Sequence, residues 1–156
     1  KLVTDLMRRI KVRSKVINEA SLYSAYDVPN GERPEHTAFK HFGDTELHWV
    51  ILMINDITDR FHGWPMTESQ FLQYLNDRYD DVDAIHHYEI SQESGDTSVK
   101  INIGTSNTDY PTATAITNYE HEQEVQDAKR KIRLLDPKYV SQFVSEYQLL
   151  MQESVI

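Results

Sequence analysis

Six consecutive large apolar residues, at positions 49–54, stand in the middle of a chain of 156 residues that is otherwise polar and acidic. A membrane span needs about 20 apolar residues, so this run predicts a buried element of a soluble protein. Asp44 or Thr45 can cap a helix here, and helical spacing gives the run one continuous face. A short strand is the alternative, because β-branched residues are frequent in the run. The predicted buried set is Ala38, Phe42, Gly43, Leu47, Trp49, Val50, Ile51 and Ile54.

The residues before this run predict a strand, a turn and another helix. Residues 22–28 alternate in an aromatic and β-branched pattern, and the Pro-Asn-Gly sequence that follows is a strong turn signal. Pro34 suits the first position of a helix, and Gly43 suits its left-handed C-cap. The first 21 residues open on lysine, so we expect the true start of this segment to be missing. Residues 10–16 fit either an edge strand or a short helix.

The residues after the run predict a third helix and a β-hairpin. Thr67 and Gln70 have the spacing of a capping box, which starts a helix through residue 79. Two alternating runs, 84–90 and 98–104, flank a loop that contains Gly95 and Asp96, as is typical of a hairpin.

The remaining residues predict a loop and a helical end. Residues 104–117 are rich in Thr, Ser and Asn, and we expect a loop or a segment ordered by a partner. Residues 118–156 have helical character, with a new N-cap at Asp136 followed by a first-turn proline. Within them, residues 130–135 fit either a continuation of the helix, with Val125, Ala128, Ile132 and Leu135 on one stripe, or a short strand.

Charge and residue types narrow the range of functions. The chain has 25 acidic and 16 basic residues, for a formal charge of −9. Nucleic-acid surfaces use an excess of Lys and Arg to replace the counterions of phosphates, so the negative net charge predicts no nucleic-acid partner. The shortness of the apolar run predicts no membrane partner. The absence of cysteine excludes disulfides, thiolate metal sites and a cysteine nucleophile.

Seven histidines prompt a search for a metal site. His36, His41 and His48 lack the spacing that puts two ligands on one helix face. His86 and His87 are adjacent on a predicted strand, where neighbours point to opposite faces. No nucleophile elbow, phosphate loop or calcium loop occurs either. We therefore predict no metal, no cofactor, no catalytic residues and no enzymatic activity.

Three stretches carry a resemblance to a known family. Residues 31–55, "GERPEHTAFKHFGDTELHWVILMIN", look like a lysin motif (LysM), and residues 55–79, "NDITDRFHGWPMTESQFLQYLNDRY", extend the likeness. Residues 119–152 are similar to a C-terminal helical segment of the same family. Together these stretches resemble the LysM-like baseplate wedge subunit of contractile-tailed bacteriophages of the T-even type.

The resemblance implies an α+β fold and an organisation along the chain. It predicts a small LysM-like β-α-α-β unit followed by a helix, a β-hairpin and C-terminal helices. The predicted segments are residues 1–21, an N-terminal segment with an incomplete start; 22–66, the LysM-like unit; 67–117, a helix with the hairpin and loop; and 118–156, the C-terminal helical segment.

The resemblance also implies a structural subunit of a tail baseplate wedge in the virion, assembled in the host cytoplasm. Its partners would be other wedge and tail subunits, joined into a ring with sixfold symmetry. A few buried aromatic anchors dominate most interfaces, so the predicted partner-binding residues are Trp64, Tyr139, Phe143, Tyr147 and Leu150. The alternative is a LysM module that binds cell-wall N-acetylglucosamine polymers through the aromatic faces of Phe61 and Trp64.

Overall fold

The structure is a computed structural model that describes residues 10–12, 19–93, 95 and 98–153. Most of the predicted N-terminal segment lies outside these ranges, as do Asp96 of the hairpin loop and the last three residues. The fold is α+β, with six helices and two small antiparallel sheets in the described residues. None of the described helices has the length and apolar character needed to cross a membrane.

Along the chain, the three strands of one sheet all lie between the two strands of the other sheet. In chain order they are β1 (Tyr23–Asp27), α1 (Pro34–Phe42), α2 (His48–Ile54), α3 (Arg60–Gly63), α4 (Glu68–Arg78), β2 (Ile85–Ser91), β3 (Lys100–Gly104), β4 (Thr114–Thr117), α5 (Asn118–Arg130), β5 (Lys131–Leu135) and α6 (Val140–Glu153). Short 3-10 turns precede β1, α2 and α6.

The chain divides into two compact units, and the first is discontinuous in sequence. Unit 1 comprises residues 1–65 and 129–156, and unit 2 comprises residues 66–128. The predicted boundaries at 22–66 and 118–156 differ from this division. The reason is that β1 and β5, which lie in the two sequence segments of unit 1, pair with each other. The second unit is therefore an insertion within the first.

The antiparallel pairing of β1 with β5 connects the two sequence segments of unit 1. Tyr23 lies opposite Leu135, and Asp27 lies opposite Lys131. β5 is the short strand that was one of the two alternatives predicted for residues 130–135. The other alternative, a continuous helix with Ile132 on its apolar stripe, is wrong because α5 ends at Arg130. Ile132, Leu134 and Leu135 of β5 are buried and belong to the two apolar clusters of unit 1.

The apolar run forms α2 and supplies much of the core of unit 1. Ile51 packs with Ala38, Val28 and Leu134, and a second cluster includes residues of α2, β5 and α6. Burying each such side chain contributes about 1.5 to 3 kcal/mol before conformational entropy is subtracted. Four residues of the predicted buried set are fully buried: Ala38, Val50, Ile51 and Ile54. Three are half-buried: Phe42, Leu47 and Trp49.

Gly43 is the exception in that set, since it lies exposed. Its φ of 79° is left-handed, and its N–H donates to the carbonyl of Phe39 to end α1. A C-cap needs this backbone conformation and requires no burial. Asp44 then accepts from Glu46 N–H and starts the 3-10 turn that leads into α2.

Asn55 connects the end of α2 to the free edge of β5. Its side-chain amide donates to the carbonyls of Ile51 and Arg133, each at 2.9 Å. The N–H of Arg133 donates back to Asn55 Oδ1 at 2.9 Å. The side chain thus supplies the hydrogen bonds that a third strand would otherwise make at this edge.

Unit 2 contains α4, a three-stranded sheet and most of α5. The sheet order is β3-β2-β4, and both pairs are antiparallel. The predicted hairpin is β2 with β3, and Gly95 in its loop has a φ of 80°. The prediction of a loop throughout 104–117 is wrong at its end, because β4 pairs with the other edge of β2.

The capping box at the start of α4 gives a direct stability test. Thr67 Oγ1 accepts from Gln70 N–H, and Gln70 Oε1 accepts from Thr67 N–H. Thr67→Ala is expected to lower the free energy of unfolding by about 1 kcal/mol, because the N–H of Gln70 loses the side-chain oxygen that accepts its hydrogen bond. Urea unfolding followed by circular dichroism measures the loss. Thr67→Ser keeps the hydroxyl and is the matched control; equal losses in both variants would contradict the capping role.

Candidate functional site

The predicted docking residues of the C-terminal segment pack largely within unit 1. The Trp49 and Tyr147 ring centroids are 4.6 Å apart, and those of Trp49 and Phe143 are 6.2 Å apart. Tyr139 and Phe143 also belong to the second apolar cluster, and all three α6-side aromatics are half-buried. The apolar stripe of α6 is therefore covered by α2 of its own unit, because Trp49 projects toward it.

The far end of α6 is different, since it exposes two leucines. Leu149 is 59% exposed and Leu150 is 49% exposed. Large apolar side chains exposed side by side are typical of contact surfaces. We call these two residues the α6 leucine pair, and of the predicted partner-binding residues only Leu150 belongs to it.

Trp64 occupies the core of unit 1, which corrects its prediction as a docking or glycan-binding residue. Its side chain is 6% exposed, and its indole N–H donates to the carbonyl of Glu32 at 2.8 Å. It packs in the first apolar cluster with Ala38 and Ile51. A buried indole has no free face for a sugar ring. Phe61, the other predicted glycan contact, is 78% exposed.

Glu32 is a buried carboxylate that the sequence analysis did not single out. Its Oε1 accepts from the Tyr26 hydroxyl at 2.8 Å and from the Thr37 hydroxyl at 2.7 Å. Its Oε2 pairs with the ammonium of Lys40. The indole N–H of Trp64 also donates to the main-chain carbonyl of Glu32. Glu32 therefore has hydrogen bonds with β1, with α1 and with a core residue of unit 1. An acidic residue in a turn gave no local signal for this role.

The protonation states in this network are set by burial and by hydrogen bonds. Burial alone would raise the pKa of Glu32, but hydrogen bonds from Lys40, Thr37 and Tyr26 outweigh it and hold that pKa below its usual value. Burial, with the hydrogen bond to Glu32 and its charge, raises the pKa of Tyr26 to about 12. At neutral pH a neutral phenol therefore donates to an ionised carboxylate.

A cluster of three imidazoles lies in unit 2. His86 Nδ1 lies 2.8 Å from His87 Nδ1, and the rings of His86 and His121 stack with centroids 3.9 Å apart. One ring nitrogen from each histidine lies within 4.8 Å of the others. The prediction that His86 and His87 point to opposite faces is wrong for this strand. His121, on α5, joins them from a different element.

A β-bulge explains why adjacent histidines meet. The pairing of β2 with β4 passes from Ile85 opposite Thr117 to His87 opposite Ile116, so His86 is an extra residue without a β4 partner. A bulge breaks strict alternation and redirects the side chain. Neither the bulge nor the approach of α5 has a signature in the sequence of β2.

The environment of the cluster keeps at least one ring neutral at pH 7. Burial, together with the neighbouring His121 and His87, lowers the pKa of His86. His87 is 4% exposed, and its Nε2 lies 2.9 Å from Glu89 Oε1. A neutral imidazole has a free lone pair on one nitrogen, so His86 can act as a metal ligand.

Comparison with known proteins supplies the family. Residues 2–111 match the family model described as base plate wedge protein 53, which covers more than half of the chain. The chain belongs to the base plate wedge protein 53 family. It is also 23% identical to baseplate wedge protein gp53 of Enterobacteria phage T4 over 167 residues, which span 97% of this chain and 85% of that protein.

Membership of the base plate wedge protein 53 family confirms the predicted structural role in the phage tail and the virion location. Neither finding tests the resemblance to LysM. The residues matched to the family model contain β1, Trp64, Glu32 and the His86-His87 pair. α6 with its leucine pair and His121 lie beyond residue 111, outside the residues that match the family model.

Proposed function

We propose that this protein docks onto neighbouring wedge subunits and helps to join six wedges into the baseplate ring, without a catalytic step. The observation that carries the proposal is the match to the base plate wedge protein 53 family. The wedge protein of phage T4, similar over almost the whole of this chain, supports it. The strongly acidic chain also favours protein partners over nucleic acid.

The α6 leucine pair is our proposed contact with a neighbouring subunit. Leu149 and Leu150 are exposed at the end of a helix whose Val140, Phe143 and Val144 pack in the second apolar cluster of unit 1. Burying two leucines in a partner pocket would contribute on the order of 3 to 6 kcal/mol before the costs of association. Tyr139, Phe143 and Tyr147 would act indirectly, by fixing α6 on α2.

We also propose that unit 1 is a LysM-like unit with a displaced second strand. β1, α1, α2 and β5 supply the β-α-α-β order, and the antiparallel pairing of β1 with β5 supports the comparison. In this interpretation unit 2 is inserted between the second helix and the second strand. The insertion accounts for the length of chain beyond a single small motif.

Affinity purification tests the assembly role as a whole. The tagged protein is recovered from cells that produce the particle, washed at moderate salt and analysed by mass spectrometry. Recovery of other baseplate subunits in fixed ratios is expected. Recovery of the protein alone, or with cell-wall fragments, would overturn the proposal and favour glycan binding, which saturable binding of chitin oligomers would then establish.

A paired substitution tests the α6 leucine pair. Changing Leu149 and Leu150 together to serine is expected to reduce recovery of wedge partners at least tenfold, because hot-spot leucines lose their apolar contacts. Both side chains are exposed, so thermal stability should change little. Leu72→Ser is the matched control, since Leu72 is 48% exposed on α4 of unit 2. Unchanged partner recovery with the double variant would place the contact elsewhere.

A further inference from the structure

We propose that His86, His87 and His121 form a binding site for one divalent transition-metal ion, of which Zn²⁺ is the best-matched probe. The three ligand nitrogens already lie within 4.8 Å of one another. A tetrahedral zinc ion with Zn–N bonds of about 2.0 to 2.1 Å separates its ligands by about 3.3 Å. On zinc binding, the distance of 2.8 Å between His86 Nδ1 and His87 Nδ1 would have to increase slightly. Ligand nitrogens that are farther apart than about 3.3 Å would have to move closer together.

Glu89 supplies the second observation that favours a metal site. Its carboxylate lies 2.9 Å from His87 Nε2, and both side chains are largely buried. A carboxylate that accepts from one ring nitrogen leaves the other with a free lone pair. Here that other nitrogen is His87 Nδ1, which faces His86. Carboxylate-oriented histidines of this kind are the usual second shell of zinc ligands.

Metal binding would change two features of the cluster, a hydrogen bond and a ring stack. His86 Nδ1 and His87 Nδ1 face one another, so one of them must hold a proton and donate to the other. The rings of His86 and His121 are almost parallel, with an interplanar angle of 10°. Parallel lone pairs do not converge, so metal entry would tilt the His121 ring and remove the proton between the two Nδ1 atoms.

The donor set selects the class of metal. Three imidazoles suit Zn²⁺, Cu²⁺ or Ni²⁺, whereas Ca²⁺ and Mg²⁺ require oxygen ligands. The fourth position would be filled by water. His86 and His121 are half-buried, so an ion can reach the cluster from their side, while His87 forms the buried end.

Titration of the full chain with ZnCl₂ tests the site. The protein is purified without a polyhistidine tag, and isothermal titration calorimetry is expected to show saturation at about one Zn²⁺ per chain. Zinc in excess should raise Tm by about 5 °C or more, because it binds the folded state. Magnesium at the same concentration should leave Tm unchanged.

Three variants separate the cluster from other histidines. His121→Ala is expected to weaken zinc binding at least tenfold, and Glu89→Gln should weaken it by about 10- to 100-fold while all three ligands remain. His36→Ala is the matched control, because His36 is exposed in unit 1 and should leave zinc affinity unchanged. Circular dichroism of each metal-free variant verifies that it is folded. Absence of saturable binding, or wild-type affinity in both His121→Ala and Glu89→Gln, would overturn the proposal.

Discussion

Replacing Trp64 with alanine is expected to lower the free energy of unfolding by about 3 to 5 kcal/mol. The side chain is 6% exposed and packs in the first apolar cluster of unit 1, so its removal leaves a large cavity. The carbonyl of Glu32 also loses the indole N–H that now lies 2.8 Å away. Such a loss is a large fraction of the stability of a typical domain. Urea unfolding, followed by far-ultraviolet circular dichroism, measures it.

Phe61→Ala is the matched control for this variant. Phe61 is a large aromatic residue three positions earlier, but it is 78% exposed, and its removal should change the free energy of unfolding by less than about 0.5 kcal/mol. The comparison also separates a core role from a binding role. If Trp64→Ala loses partner or sugar binding while retaining wild-type stability, our placement of the indole in the core is wrong.

Replacing Glu32 with alanine is expected to lower the free energy of unfolding by about 2 to 4 kcal/mol, because two hydroxyl donors lose the carboxylate that accepts from them. The hydroxyls of Tyr26 and Thr37 lose a common acceptor. Lys40 contributes less to this loss, since its side chain is 60% exposed and water screens the ion pair.

Two further variants resolve the parts of the network. Glu32→Gln keeps an oxygen acceptor but removes the charge, so its loss should be smaller than that of Glu32→Ala. Lys40→Ala should cost less than about 1 kcal/mol. Thermal or urea unfolding of the three variants ranks them. A Lys40→Ala loss as large as that of Glu32→Ala would show that the ion pair, and not the hydroxyl contacts, stabilises the site.

The pH dependence of stability gives the same network an independent test. The pKa of Glu32 is lower in the folded protein than its ordinary value of 4.5. Its contribution is therefore fully present above about pH 4.5 and is lost as pH falls through the lowered pKa. The pKa of Tyr26 is raised from 10.0 to about 12, so its contribution is present below pH 10 and is lost as pH rises toward 12.

Urea midpoints measured across the acid range check this expectation. The wild-type midpoint should fall more steeply below about pH 4.5 than the midpoint of Glu32→Gln, which has no carboxylate to protonate at this position. Parallel curves for the two proteins would mean that Glu32 titrates alike in the folded and unfolded states. The difference between the curves removes the contribution of the other acidic residues.

Much of the secondary structure could be predicted because its signals are local. Pro34 and Gly43 mark the first helix, the Thr67 capping box begins α4, and alternating runs with a glycine-containing loop mark the hairpin. Each signal depends on hydrogen bonds between residues a few positions apart. The apolar run at 49–54 predicted a buried helix for the same reason, since helical spacing brings neighbouring turns onto one face.

The sequence by itself therefore determined the α+β class, most element boundaries and the resemblance to a baseplate wedge subunit. Tertiary structure decided that β5 pairs with β1 across the inserted unit 2, that Trp64 lies in the core, and that a bulge brings His86 beside His87. Strand pairing and burial depend on residues far apart in the chain, whose contacts form only when the loop between them is closed. Local patterns contain no information about those partners.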